Sequence, residues 1–497
     1  MLRVVSSVAA AVIAVAACDP VGPDYVRPTP PVPTQFAETG PWKEAVPQDT
    51  IGRGDWWTVF ADPVLNNLQL EAVRQNPDLQ AVSKLVLQAQ AIAGISKSYL
   101  YPAVNAGALV QRFANNSNFA TLVDPATVTA STGTISFAYK GVPLYATYEI
   151  DFWGRVRRQA ESAMAELSAS VAAFQTAMLT LNGEVAQTYF ELRTTDELLR
   201  LINDSIKLYR GSVGLFRARR VDGLSSDVML LEMETSLRTT EAQAQTLAVQ
   251  RSRLVNRLAV LTGVNPEGFS VAQQPFQRTV PAVPVGVPSD LLQRRPDIAQ
   301  AERELAAYNA QIGVATAAYY PSVMLTTAVG YESFHLSTFT NPTSNIWGIG
   351  LSLFQTIFNA GRTTLNVERT RAAYQEKVAL YQALLLKSFQ EVETALSGLN
   401  LLGQQARLQQ QAVGTASRTS ALAGQRFSQG LTSQIDVFVA QRAELTSRTL
   451  SVQIANDQLM TTVALIKALG GGWQDRGKQV PEGSKSMWAP PMPKPAN

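Results

Sequence analysis

Residues 155–221 read RVRRQAESAMAELSASVAAFQTAMLTLNGEVAQTYFELRTTDELLRLINDSIKLYRGSVGLFRARRV. The stretch contains no proline, and residues 362–429 repeat its design 207 positions later. Each copy follows a Gly-Arg pair, Gly154-Arg155 and Gly361-Arg362, and each runs to a glycine-centred turn, Gly223-Leu224 and Gly430-Leu431. Arg219 and Arg426 stand four residues before those glycines. In the first copy Ala163, Leu167, Val171, Phe174, Met178, Leu181, Val185, Tyr189 and Leu192 step by three or four. Val378, Tyr381, Leu385, Phe389, Val392, Leu396 and Leu399 do the same in the second. Such stripes predict coiled-coil helices. At ~1.5 Å per residue each arm would span roughly 100 Å, far beyond an ordinary helix. The positions between the stripes are Gln, Thr, Ser and Ala more than Lys and Glu, which suits a wall facing a wet lumen.

Return helices are predicted over Ser226–Leu261 and Gln434–Leu469, stopped by glycine at Thr262-Gly263 and Gly470-Gly471. A shorter helix is duplicated ahead of each arm. Asn76-Pro77-Asp78-Leu79 matches Arg295-Pro296-Asp297-Ile298, Gly94 matches Gly313, and Tyr101-Pro102 matches Tyr320-Pro321. Extended segments follow each Tyr-Pro. Val104–Val110, Leu144–Phe152, Val323–Tyr331 and Trp347–Leu353 alternate apolar and polar or small residues. Alternation over about ten residues is the signature of a membrane β-strand; a soluble sheet edge reads the same way. The longer loop of the first hairpin is placed at Phe113–Tyr139, and His335 in an external loop rather than in a ligand set.

The resulting organisation is 1–17 signal peptide, 18–60 extended leader, 61–265 first structural repeat, 266–287 linker, 288–470 second repeat and 471–497 disordered tail. The fold class is mixed, with internal duplication: a long antiparallel α-helical coiled-coil barrel plus a transmembrane β-barrel shared by three chains, four strands each. Four strands cannot close a barrel, and open edges are not tolerated in lipid.

Composition narrows the function. A net charge of +3 with 16% charged residues, and no Lys/Arg-rich run, argues against nucleic acid. One His and one Cys leave no metal set and no Cys/His catalytic pair. The chain is therefore expected to be no enzyme and to need no cofactor. Met1-Leu2-Arg3 followed by an apolar run to Ala17 reads as a secretory signal. Val15-Ala16-Ala17-Cys18 looks like a bacterial lipobox, which would put covalent lipid on Cys18; an incidental Cys after a plain signal is the alternative. Asp19 resembles an inner-membrane retention signal in some bacteria. After Cys18 no apolar run is long enough for a spanning helix.

Several motifs carry a family resemblance. They are Cys18 with Gly22-Pro23-Asp24-Tyr25-Val26-Arg27-Pro28, Trp56-Trp57 with Phe60, Asp62-Pro63 and Leu65, and Leu291-Leu292 with Arg294-Arg295-Pro296-Asp297-Ile298. The turns Gly223–Val228 and Gly430–Val437 complete the set. In these the chain resembles a TolC-type outer membrane factor of the lipoprotein (NodT-type) branch. The resemblance implies a homotrimeric exit duct in the outer membrane of a Gram-negative cell. The duct would extend into the periplasm and work with a periplasmic adaptor and an inner-membrane efflux pump. A type I protein-secretion duct and a non-channel trimeric scaffold lipoprotein are the other readings. The tips of the arms become the candidate site: turns at Gly223 and Gly430, and a constriction at Asp436, Asp227, Ile435 and Val439. A ring of three carboxylates there would favour cations, while helix-end stabilisation explains both Asp residues as well. The family's tip carboxylate aligns with Asp436. Val439 replaces a second acidic ring, and Thr432 stands where some members carry a basic locking residue, so closure is expected to lean on Ile435, Val437 and Val439.

Overall fold

The computed structural model describes residues 19–28, 55–115, 135–221, 226–276, 280, 281, 283 and 294–471. Cys18, Gly223, the signal, most of the leader and the tail lie outside them. A short 3-10 turn, Trp56–Phe60, precedes α1 (Pro63–Gln75) and α2 (Pro77–Ser98). Strands β1 (Ala103–Ala106), β2 (Leu109–Asn115) and β3 (Ile135–Glu149) lead to α3 (Arg155–Val221) and α4 (Asp227–Leu261). Then come α5 (Pro296–Ala317), β4 (Ser322–Ser333), β5 (Asn345–Phe354), α6 (Arg362–Ser428) and α7 (Gln434–Ala468). The helices pair by length: α2 and α5 have 22 residues, α3 and α6 have 67, and α4 and α7 have 35.

The chain divides into two compact units. One holds residues 1–28, 86–170 and 301–380, and includes the sheet. Its strand order is β1-β3-β4-β5, with β2 also on β3. All pairs are antiparallel. Strands β1 and β2 are one edge strand broken opposite Pro143, where Gly107 N–H donates to the Pro143 carbonyl; proline has no N–H to return. Four strand positions therefore lie side by side. Among the described residues, β1/β2 and β5 each have a partner on one side only. Pairing extends further up the first hairpin than the sequence suggests: Asn115 pairs with Ile135, so the loop placed at Phe113–Tyr139 starts later and ends earlier. At its other end β3 stops at Glu149, short of the expected Phe152. One row of β5, Trp347, Ile349, Leu351 and Leu353, is 60–78% exposed, and Gly348, Gly350 and Ser352 between them are exposed too. Isolated apolar residues at a surface are ordinary, but a continuous row of large ones marks contact with lipid or protein. No helix among the described residues is long and apolar enough to cross a membrane.

The second unit holds residues 29–85, 171–300 and 381–497. Its core takes the predicted stripes, with Leu181, Val185, Tyr189 and Leu192 from α3 and Val392 and Leu396 from α6. Trp56, Trp57 and Phe60, which the sequence groups with the leader, are part of this core. Asp62 fixes the geometry of the turn that follows. One carboxylate oxygen caps α1 through Val64 N–H (2.9 Å) and Leu65 N–H (3.2 Å), and the other accepts from the Tyr189 hydroxyl. Burial and this carboxylate together push the Tyr189 phenol well above its ordinary pKa.

Candidate functional site

The sequence places the constriction where α6 turns into α7. Helix α6 ends in a Schellman motif: Leu431 N–H donates to the Arg426 carbonyl and Gly430 N–H to that of Phe427, both at 2.9 Å. Gly430 adopts φ 73°, the left-handed conformation this motif needs. Ser433 then caps α7. Its hydroxyl accepts from Asp436 N–H, and Asp436 Oδ2 accepts from Ser433 N–H at 3.0 Å, closing a capping box. The same oxygen accepts from Ser433 Oγ (2.7 Å) and Thr432 Oγ1 (2.6 Å). The Thr432 and Ser433 hydroxyls, the Ser433 amide and the nearby Arg426 charge hold the exposed Asp436 carboxyl below its ordinary range. Thr432 thus acts here as a donor to Asp436.

Asp227 opens α4 behind the N-cap Ser226. It is ion-paired with Arg220 from the last turn of α3, so its charge is matched within its own hairpin. Ile435 and Val439 lie one turn apart on one face of α7 and are 36% and 59% exposed. Val437 is 5% exposed, which removes it from the apolar set expected to close the duct. Its neighbour Phe438 sits in a separate cluster with Ile206, Tyr209, Val213, Leu230 and Met233. The Tyr209 and Phe438 rings are 5.1 Å apart, and Arg219 lies over the Phe427 ring at 5.4 Å. The two arm ends are therefore joined by aromatic and cation–π contacts. The duplicated Arg219 and Arg426 differ: Arg219 covers the Phe427 ring, while Arg426 acts on Asp436 through its charge alone.

A second polar centre was not foreseen. Asp196 is 2% exposed at its side chain and lies between Arg193 Nη1 (2.9 Å) and Arg251 Nε (2.7 Å). The two guanidinium groups also donate to the carbonyls of Ala272 and Val271, each at 2.7 Å, tying that extended segment to α3 and α4. A sequence signal existed: Asp196 falls four residues after Leu192, in phase with the apolar stripe. An open groove of about 660 Å³ adjoins this centre, lined by Arg200, Asp204, Lys207 and Arg251 among others. These charges are all paired. Among the described residues no group of three His, Cys, Asp or Glu side chains is placed to hold a metal ion.

Comparison with known proteins agrees with this geometry. The family model described as outer membrane efflux protein matches residues 68–264 and 287–471. The solvent efflux pump outer membrane protein SrpC of Pseudomonas putida is 30% identical over 466 residues, covering 91% of this chain and 95% of SrpC. The pyoverdine export outer membrane protein OpmQ of a P. putida strain is 33% identical over 454 residues, 90% of this chain and 94% of OpmQ. Among solved structures, the outer-membrane channel OprN superposes with a TM-score of 0.81 at 26% identity, over 92% of this chain and all of OprN. With both repeats matched from the first helices to the end of α7, the chain belongs to the outer membrane efflux protein family and is an efflux channel of the outer membrane.

Proposed function

We propose that three copies of this chain close a twelve-stranded β-barrel through the free edges of β1/β2 and β5, and that their arms continue it as a helical duct. The observation that carries this reading is the four-position sheet, with two single-sided edges and an exposed apolar row. Lipid leaves no solvent to satisfy such edges, so they must pair with one another. The duct receives small molecules from an inner-membrane pump through a periplasmic adaptor, and a lipid on Cys18 adds a second anchor to the strands. Its relatives are named for cargoes as different as solvents, pyoverdine and cations. That range supports a generic lumen, with selectivity set upstream.

Duplication makes the interface specific. Within one chain Gly313 of α5 faces Arg158 of α3, so closely that an added Cβ would meet its Cγ. The duplicated positions are Gly94 of α2, with open space around it, and Leu365 of α6, 63% exposed. These two should meet between neighbouring copies. In a Cys18→Ser background, Gly94→Cys with Leu365→Cys should give oxidised dimers and trimers on denaturing gels, and the parent should form discrete conducting channels in planar bilayers. A monomeric product with no conductance would refute the shared barrel.

At the tip, Asp436 contributes three carboxylates to the closed end, with Asp227, matched by Arg220, in a lesser role. The hydrogen bonds to Asp436 keep it ionised; its cap is present above the unfolded pKa and lost as pH falls through the depressed folded value. Asp436→Asn keeps an acceptor for the cap but removes the charge. It should therefore lose cation preference as fully as Asp436→Ala, read as reversal potential in a salt gradient. Loss in the Ala variant alone would assign Asp436 to the helix end.

A further inference from the structure

Residues Asp19–Pro28, directly after Cys18, are bound along α5 and the start of α3. Val21 N–H donates to the Trp153 carbonyl at 2.9 Å. Asn309 Nδ2 donates to the Pro23 carbonyl at 2.8 Å, and Tyr25 OH to that of Glu302. Arg27 pairs with Glu302 at 3.2 Å. Gly22, at φ 99°, has no room for a side chain: its Cβ would lie 2.5 Å from the Cα of Gly313.

The centre of this contact is Arg158. Its side chain is 4% exposed, and its guanidinium donates to the Val21 carbonyl, the Gly22 carbonyl and Asp24 Oδ1, the last at 2.7 Å. Its other partner is Glu161 on its own helix. A guanidinium does not deprotonate to escape burial. Without the leader its remaining donors would be left to solvent or to nothing.

Duplication shows that this arrangement is specific. The Gly-Arg pair before the arm is kept in both repeats, as Gly154-Arg155 and Gly361-Arg362. Glu161 is also kept, as Glu368. Arg158 alone among these is replaced, by the exposed Leu365. Gly94, the counterpart of Gly313, meets nothing within 4 Å. The chain thus has one leader and one place built for it.

We propose that Arg158, Asn309 and the Gly22–Gly313 contact form a receptor for the chain's own leader, which fastens the N-terminal end beside Trp153, between sheet and arm. The receptor draws on both repeats, since Arg158 lies in the first and Asn309 in the second. The leader therefore stays loose while the chain is folding and locks only once α5 has packed on α3. Arg158 is a positioning residue for the anchored end. The inference is separate from lipid on Cys18, because every contact lies at or beyond residue 20.

The test is a spin label at Val26→Cys, a position 77% exposed, in both the native and the Cys18→Ser backgrounds. The label should be immobilised in both. Arg158→Leu, which copies the second repeat, should shorten its correlation time by roughly threefold or more, with channel conductance retained. Gly22→Val, confined to the leader, should do the same and covers the case in which Arg158→Leu fails to assemble. During refolding, immobilisation should follow helix formation. A label already mobile in the parent, one that stays immobile in Gly22→Val, or immobilisation ahead of the helices would each overturn the proposal. Intact mass of the mature chain reports lipid on Cys18 independently, so an unmodified Cys with an immobile label would sink the anchor and leave the receptor standing.

Discussion

Asp196→Ala should destabilise the helical unit by about 3–5 kcal/mol, the usual cost of removing one partner from a buried charge cluster. The carboxylate is 2% exposed and holds two arginines, of which Arg193 is 4% exposed. Arg193 already has Nε and Nη2 without partners and relies on Asp196, the Ala272 carbonyl and the Tyr189 ring beneath it. Removing Asp196 leaves two cations close together with no counter-charge, and loosens the 271–272 segment they hold. Denaturant unfolding of the detergent-solubilised protein, followed by helix signal, measures the loss. Replacing Arg193, Asp196 and Arg251 together by Leu should recover part of it, since no buried charge then remains. A change below about 1 kcal/mol in the single variant would show that the cluster behaves as a surface pair and that burial is not decisive.

Gly330→Val should abolish assembled channels. Gly330 pairs with Pro143 across β3 and β4, the seam between the two repeats. A Cβ at residue 330 would lie 2.5 Å from the Val142 carbonyl oxygen and 2.6 Å from the Pro143 Cα. Both obstacles are backbone, so no rotamer relieves them, and Pro143 has already cost the ladder a donor. Overpacking costs about 1–3 kcal/mol where side chains yield; here the strands must part. Gly348→Ala is the control, since nothing lies within 4 Å of a Cβ there. Assembly on native gels and export in cells should be lost in Gly330→Val and kept in Gly348→Ala. Equal behaviour of the two would place the β3–β4 register elsewhere than described.

Both predictions concern features that sequence periodicity leaves undecided. The arms were legible because a helix is built from contacts three and four residues apart, and stripes such as Leu181, Val185 and Tyr189 state those contacts directly. Their ends were legible for the same reason. The Gly-Arg pair before each arm and Gly430 after the last turn of α6 are local chemistry, and the structure moves the boundaries by about one residue. Alternation along Trp347–Leu353 likewise identified a strand. Duplication added the pairing of the two halves, since equal spacing survives where residue identity does not.

What the chain could not announce is which distant residues meet. Asp196 has the phase of a core residue and the chemistry of a surface one. Only the packing of α3 against α4 and the 271–272 segment decides that it is buried and paired. The sequence placed Asp436 at a helix end but did not show that the turn delivers three donors to one of its oxygens. Val437 could be counted with Ile435 and Val439 until the helix was set with that face inward. Arg158 meets a leader more than 130 positions away, a contact absent from any local pattern. Periodicity and capping are properties of a few consecutive residues and travel with the sequence. Register, burial of charge and the docking of the leader are settled by which surfaces exclude water together, and that is decided only when the chain has closed on itself.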